Sequence, residues 1–369
     1  MSASKEVKYV KAYVARMLAL NRAIEWQVSR TNSEFNLLNK QVIAEIKRQY
    51  PDVAKMSQIN ALNASLKSAM GAYFFGDAAM SLTNSQAYNQ IIDREIVWAS
   101  NNLTLFAGTE ANTANSVVVA NRAAAKTYQG HTFDFWYKTT AQGSTKRVLS
   151  MVKDGYVRGK TTSEVVADVS NLMNKTGSEV RTLTRSYLQH AAVEARQETF
   201  NQNADLIAEY IWISVLDGRT TVDICGIRDS KRYDVNFNPI DSGLPWGAGP
   251  GRIHFNCRSS YIPRLVGQQD IRDHFTRPAT NAGPNYSKGD MKTRTGKVRK
   301  PTKANRENGI FDITQVSSST TYEDYLRRQK LSFINDVIKN KQLAADFQSG
   351  KISLYEIAMQ GTIKDVNKL

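Results

Sequence analysis

A chain of 369 residues, 41% apolar and 22% charged, is long enough for two or three folded cores and too ordinary in composition for a fibrous or wholly disordered protein. Two cysteines exclude a disulfide-built scaffold and suit a reducing cytoplasm, no apolar run approaches the roughly 18 residues of a membrane-spanning helix, and the first residues show no apolar signal core. The net charge of +15 instead favours a polyanionic neighbour: nucleic acid, an anionic membrane or an acidic protein surface.

Residues 1–130 read as a helical arm or bundle. Val7, Val10, Val14, Met17, Ile24 and Val28 recur at helical spacing, and Asn21 interrupts the stripe. Leu38, Val42 and Ile46 predict a second helix that ends at Pro51, and periodicity is weaker over 55–75 and 85–107. The aromatic run from His131 to Tyr137 suits either a core wedge between domains or a base-stacking surface.

Residues 131–265 are expected to hold further helices and a small β-containing domain. Thr161 and Glu164 have the spacing of a capping box, Asn174 and Gly177 predict a helix stop, and a second helix is expected from Arg181 to about Leu206. Tyr210–Val215 reads as a buried strand, Asp217-Gly218 as a turn and Lys231–Val235 as a second strand. Residues 266–318 are predicted to be a flexible linker, and eleven lysines and arginines against three acids fall between Arg264 and Arg306. Its cations Lys288, Lys292, Arg294, Lys297, Arg299, Lys300, Lys303 and Arg306 suit either a solvated tether or a mobile arm on phosphate backbone. Residues 319–369 read as a short helical segment, with a helix start at Ser353. The fold class is thus predominantly helical α+β.

The chemistry-bearing residues are concentrated in two stretches, Asp217-Gly-Arg219-Thr220 to Cys225 and His254-Phe-Asn256-Cys257-Arg258. Both cysteines and one of the four histidines lie there. Cys225, His254 and Cys257 are candidate zinc ligands, with Asp217 or Asp223 needed as a fourth, but no Cys-x-x-Cys knuckle is present. A disulfide is a third reading, behind the metal. The expected one is a packed pair of thiols with His254 hydrogen-bonded to backbone or carboxylate, and no metal or other cofactor. A Cys–His nucleophile pair needs a sharp backbone turn between His254 and Cys257 and has no evident orienting residue. Asp217, Asp223 and Asp229 hint at divalent-metal nuclease chemistry but are read as turn and cap residues, so no catalytic residue is assigned. Arg219 and Arg258 are each candidates to tie the Asp217 turn to the Cys257 segment as a bidentate clamp. There is no phosphate-binding loop and no dinucleotide fingerprint.

The residues Arg185-Ser-Tyr, Trp212 through Asp217-Gly-Arg219-Thr220, Cys225, and Pro250-Gly-Arg-Ile-His254-Phe-Asn256-Cys257-Arg258 resemble the phage Mu F-type head morphogenesis domain over about 80 residues. Segments Tyr322–Gln329 and Gln348–Leu354 are similar to C-terminal parts of such phage minor head proteins. The resemblance implies a non-enzymatic minor head protein of a tailed bacteriophage, made in the bacterial cytoplasm and built into the virion. Its implied partners are the portal or major capsid protein, with packaged DNA held weakly by the basic linker. The alternative is a nuclease or toxin-like effector carried by the phage.

Overall fold

The computed structural model describes residues 3–76, 86–268, 276–280, 291–292, 298–299 and 313–360, and these form a predominantly helical α+β protein. Six helices come first: α1 (Ala3–Gln49), α2 (Met56–Phe75), α3 (Gln86–Ala107), α4 (Ser116–Ala125), α5 (Phe133–Val157) and α6 (Thr162–Asn201). Strands β1 (Ile207–Ile213), β2 (Arg232–Tyr233) and β3 (Ser260–Leu265) form an antiparallel sheet in the order β2-β1-β3. Strand β4 (Thr276–Thr280) pairs with β7 (Ile313–Ser317), and β5 (Met291–Lys292) with β6 (Val298–Arg299). Four short helices close the described chain: α7 (Tyr322–Arg327), α8 (Leu331–Ile338), α9 (Lys341–Gln348) and α10 (Leu354–Met359).

Two of the sequence-based boundaries are corrected. The two helices expected over Val7–Val28 and Leu38–Ile46 are one, because nothing between residues 3 and 49 is a glycine or proline, and the internal Asn21 costs only a fraction of a kcal/mol, about 0.7 at most. Pro51 sits in the 3₁₀ turn that follows. The stop expected at Asn174 and Gly177 is also absent, and α6 runs through both. Gly177 serves close approach instead: a Cβ there would lie 2.9 Å from the ring of Phe35. The Thr161–Glu164 capping box does form, with mutual side-chain-to-backbone hydrogen bonds of 2.8 and 3.3 Å.

The chain divides into two compact units, and not at residue 130. One comprises residues 20–97 and 114–198. Its core holds the predicted stripe of Ile24, Val28, Leu38, Val42 and Ile46, together with Phe133 and Tyr137. The aromatic run is therefore half core and half surface, since Phe135 is 44% exposed. Polar groups are buried here as well. Arg196 donates to Glu95 at 2.5 Å with both side chains 1% exposed, and the Tyr88 and Tyr187 rings stack at 4.7 Å.

The other unit comprises residues 1–19, 98–113 and 199–369. The N-terminal segment is part of it because Tyr9 and Tyr13 bring aromatic area to a shared core. Tyr9 packs edge-on to Phe106 at 4.9 Å and donates to the Pro263 carbonyl of β3 at 2.7 Å, while Tyr13 meets Trp98 at 4.6 Å. The C-terminal helices are not a separate segment either. Tyr322, Leu326, Ile334, Phe347, Leu354 and Ile357 share one buried cluster with Leu216, Val222 and Ile227. The predicted linker is structured at both edges, where β4 pairs with β7; Ala279 of β4 joins that cluster, and the Thr280 N–H donates to the Leu216 carbonyl at 2.9 Å.

Gly226 marks where these parts meet. It ends a turn of π-helix, Val222–Gly226, and a Cβ on it would stand 2.8 Å from Cδ1 of the fully buried Tyr322. Gly226→Ala is expected to cost about 1–3 kcal/mol by overpacking. Urea denaturation checks this against Gly243→Ala, where a Cβ meets nothing within 4 Å.

Candidate functional site

The site lies wholly in the unit that carries the sheet, on the loops leaving β1 and entering β3. β1 presents Tyr210 and Trp212 to a loop anchored by Trp246, whose ring lies 4.9 Å from Tyr233 and from Phe237, 5.4 Å from Tyr261 and 5.5 Å from Trp212. The loop needs glycine to hold this ring. Gly249 has φ +88°, and a Cβ on it would fall 2.6 Å from the indole nitrogen. The loop then delivers Ile253 to the core and His254, Cys257 and Arg258 to the turn after β1.

Asp217 and Arg258 form the outer clasp. Two guanidinium nitrogens of Arg258 donate to the two carboxylate oxygens of Asp217 at 2.7 and 2.8 Å across 41 residues. The Arg219 N–H donates to the same carboxylate at 3.0 Å, and the Thr220 hydroxyl gives its stronger bond to the Val215 carbonyl. Tyr322 donates its hydroxyl to the Asp217 carbonyl at 3.0 Å. Burial pushes the Asp217 carboxyl up, but the Arg258 charge and hydrogen bonds outweigh it and hold the group below the ordinary aspartate range. The clamp is therefore Arg258. Arg219 has an exposed side chain and enters the clasp through its backbone.

Cys225, His254 and Cys257 form the inner cluster. The π turn places Cys225, with its N–H on the Thr221 carbonyl at 2.8 Å. The sharp turn that His254 and Cys257 require is supplied by Asn256, at φ +61°, so that the Cys257 N–H bonds the His254 carbonyl at 3.2 Å. His254 Nε2 lies 3.1 Å from Cys225 Sγ, and the two sulfurs are 3.7 Å apart, both as free thiols. The other ring nitrogen, Nδ1, faces the Phe255 carbonyl at 2.8 Å. Burial opposes ionisation of both cysteines. It pushes the Cys225 thiol up, whereas hydrogen bonds from Cys225 and the His254 charge bring Cys257 well below the ordinary thiol value. His254 is lowered by burial and raised more by the Cys257 sulfur, so its net shift is upward. The cluster is a thiol–imidazole set of two buried cysteines and one half-buried histidine, with a donor set suited to a soft divalent metal.

A third node centres on Asp229, read from the sequence only as a turn or cap residue, and its partners were not foreseen. Asp229 accepts from the Ser214 N–H at 2.7 Å, the Tyr322 N–H at 2.7 Å and Arg277 at 2.8 Å. The carboxylate and Arg277 are 0% and 3% exposed. Arg277 also donates to the Ser214 carbonyl at 3.1 Å. This node joins the end of β1, β4 and the start of α7. The signal for it was the alternation in Thr276-Arg-Pro-Ala-Thr280 and Ile313-Thr-Gln-Val-Ser317, which the surrounding basic run obscured.

A cavity of about 580 Å³ opens beside Asp229, between the Gly226–Lys231 turn, the Ser242–Leu244 loop and Thr321–Asp324. Asp217, Asp223 and His254 do not line it. Of the basic residues singled out, Lys288, Arg294, Lys297, Lys300, Lys303 and Arg306 lie outside the described residues, and Lys292 and Arg299 fall in the short strands β5 and β6. Among the described residues no helix is long and apolar enough to cross a membrane. No family model, curated protein or solved structure matches the chain.

Proposed function

We propose that this chain is a non-enzymatic assembly protein, a minor head protein of a tailed bacteriophage that associates with the portal or major capsid protein. The observation that carries the reading is the state of the polar groups in and beside the two diagnostic stretches. Asp217 is saturated by Arg258 and the Arg219 N–H, and Asp229 by Arg277 and two backbone N–H groups. Cys225 and Cys257 are 2% and 1% exposed. A nucleophile or general base needs an approach for substrate, and carboxylates already filled with donors have little capacity left to take a proton or a metal-bound water. The same arrangement suits a lock that holds a long loop rigid under the load of a shell. The resemblance of Asp217, Arg219, Thr220, His254, Cys257 and Arg258 to the head morphogenesis motif points to the same class, and the basic segment around Lys288–Arg306 suits a neighbour that is packaged DNA.

The test is affinity capture with the tagged full chain from cells assembling phage heads, followed by a nuclease assay of the purified full chain with Mg²⁺ or Mn²⁺. Recovery of portal or capsid protein above an untagged control, with no DNA cleavage, is the expected result. Cleavage that is abolished by Asp223→Asn and His254→Asn, with no head protein recovered, reverses the reading in favour of a phage-carried nuclease or effector.

A further inference from the structure

We propose that Cys225, His254 and Cys257 bind a zinc ion. The three ligand atoms lie within 4.8 Å of one another although they come from two loops 29 residues apart. Their spacing approximates that of a coordination polyhedron. Zn–S of about 2.3 Å and Zn–N of about 2.05 Å at tetrahedral angles separate two thiolates by about 3.8 Å, and a thiolate from an imidazole nitrogen by about 3.5 Å. The sulfurs stand at 3.7 Å and the Cys225 Sγ–His254 Nε2 pair at 3.1 Å, so the first edge already fits and the second would have to open by about 0.4 Å, while the Cys257–His254 edge lies within 4.8 Å. A disulfide would require the sulfurs to close to about 2.05 Å.

The surroundings are those of ligands already oriented. Nδ1 of His254 is held by the Phe255 carbonyl at 2.8 Å, which assigns the ring proton to that nitrogen and leaves the Nε2 lone pair toward the sulfurs. The Gly251 N–H points at Cys257 Sγ at 3.2 Å, an N–H···S bond that favours a thiolate. The turn that brings His254 and Cys257 together depends on Asn256 at positive φ, and the next residue, Arg258, is fixed by its bidentate bond to Asp217. The fourth position falls to water, since among the described residues only Cys225, His254 and Cys257 group there, and His254 is half-buried. Binding releases the thiol protons and leaves Zn²⁺ without change of oxidation state. The inference is independent of the assembly role proposed above.

The test uses the full chain purified under reducing conditions without chelator. Elemental analysis is expected to find about one zinc per chain, falling at least roughly tenfold in His254→Asn and in Cys225→Ser/Cys257→Ser. Because those variants can lose metal by losing the fold, a second measurement uses the unaltered sequence. Cobalt(II) added to the chelator-stripped chain is expected to give thiolate-to-cobalt charge-transfer absorption that one equivalent of zinc abolishes. Zinc below about a tenth per chain together with no such absorption would overturn the site, as would full zinc content in the double cysteine variant.

Discussion

Asp229→Ala is expected to produce the largest loss of stability of any single change in the sheet-bearing unit. The substitution leaves the Arg277 cation buried at 3% exposure, and two backbone N–H groups, of Ser214 and Tyr322, without an acceptor. Removing one partner of a buried pair costs about 3–5 kcal/mol, and each orphaned donor about 1–3 more, though the contributions overlap. A unit stabilised by about 5–15 kcal/mol is thereby brought to the edge of unfolding. Urea denaturation followed by the fluorescence of Trp212 and Trp246, both buried in this unit, measures it. Asp229→Asn keeps an acceptor oxygen and is expected to fall between the two. Asp229→Leu with Arg277→Met removes both charges and is expected to recover stability relative to Asp229→Ala, although the two N–H groups remain unmet. A Asp229→Ala variant within about 1 kcal/mol of the parent would show that the node does not hold the strands and α7 together.

The contrast between that node and the residues foreseen from sequence shows which information the chain displays openly. Helical stripes were legible because burial imposes a period: Val10, Val14, Met17, Ile24 and Val28 are all buried on one helix. Caps were legible because their chemistry is local, as at Thr161 and at Ser353, which accepts from the Glu356 N–H at 3.2 Å. β1 could be read from its β-branched and aromatic content, and the structure begins it three residues earlier, at Ile207. What could not be read was long-range. Arg277 is 48 residues from Asp229 and sits in a segment whose composition describes a linker. Tyr9 is 254 residues from Pro263, so a segment read as the start of a separate arm is part of the sheet-bearing unit. Gly177 was read through its local propensity to end helices, whereas the deciding fact is the Phe35 ring across from it.

The site itself was legible as a set of residue types and not as a geometry. Asp217, Cys225, His254, Cys257 and Arg258 were singled out because rare polar residues cluster there, and they do meet. Arg219 and Arg258 could not be ranked as the clamp, since both stand within two residues of a turn residue or ligand and only the direction of the chain decides. The role of Asn256 was hidden for the same reason. Its αL conformation, tolerated by asparagine better than by most residues, is what makes a His-x-x-Cys spacing converge on Cys225.

Arg258→Ala is expected to be the second large effect, and its pH dependence separates charge from packing. Asp217 and Arg258 are 8% and 16% exposed, so truncation leaves a carboxylate with only its local donors, at a cost of about 3–4 kcal/mol near neutral pH. Arg258→Lys restores a cation without the two parallel bonds at 2.7 and 2.8 Å and is expected to recover part of the loss. The folded-state value of Asp217 is depressed, so its contribution is present above the unfolded value of about 3.9 and is lost as the pH falls through the folded one. The stability gap between parent and Arg258→Ala should therefore narrow as the pH is lowered from about 7 toward 3. Asp229 does not produce this trend, because burial raises it despite Arg277; its contribution is largest below the unfolded value and declines as the pH rises through the folded one. A gap that stays constant with pH would mean that Arg258 acts through the packing of its stem and not through the Asp217 carboxylate, and the loop from Trp246 to Cys257 would then be held by its aromatic anchor alone.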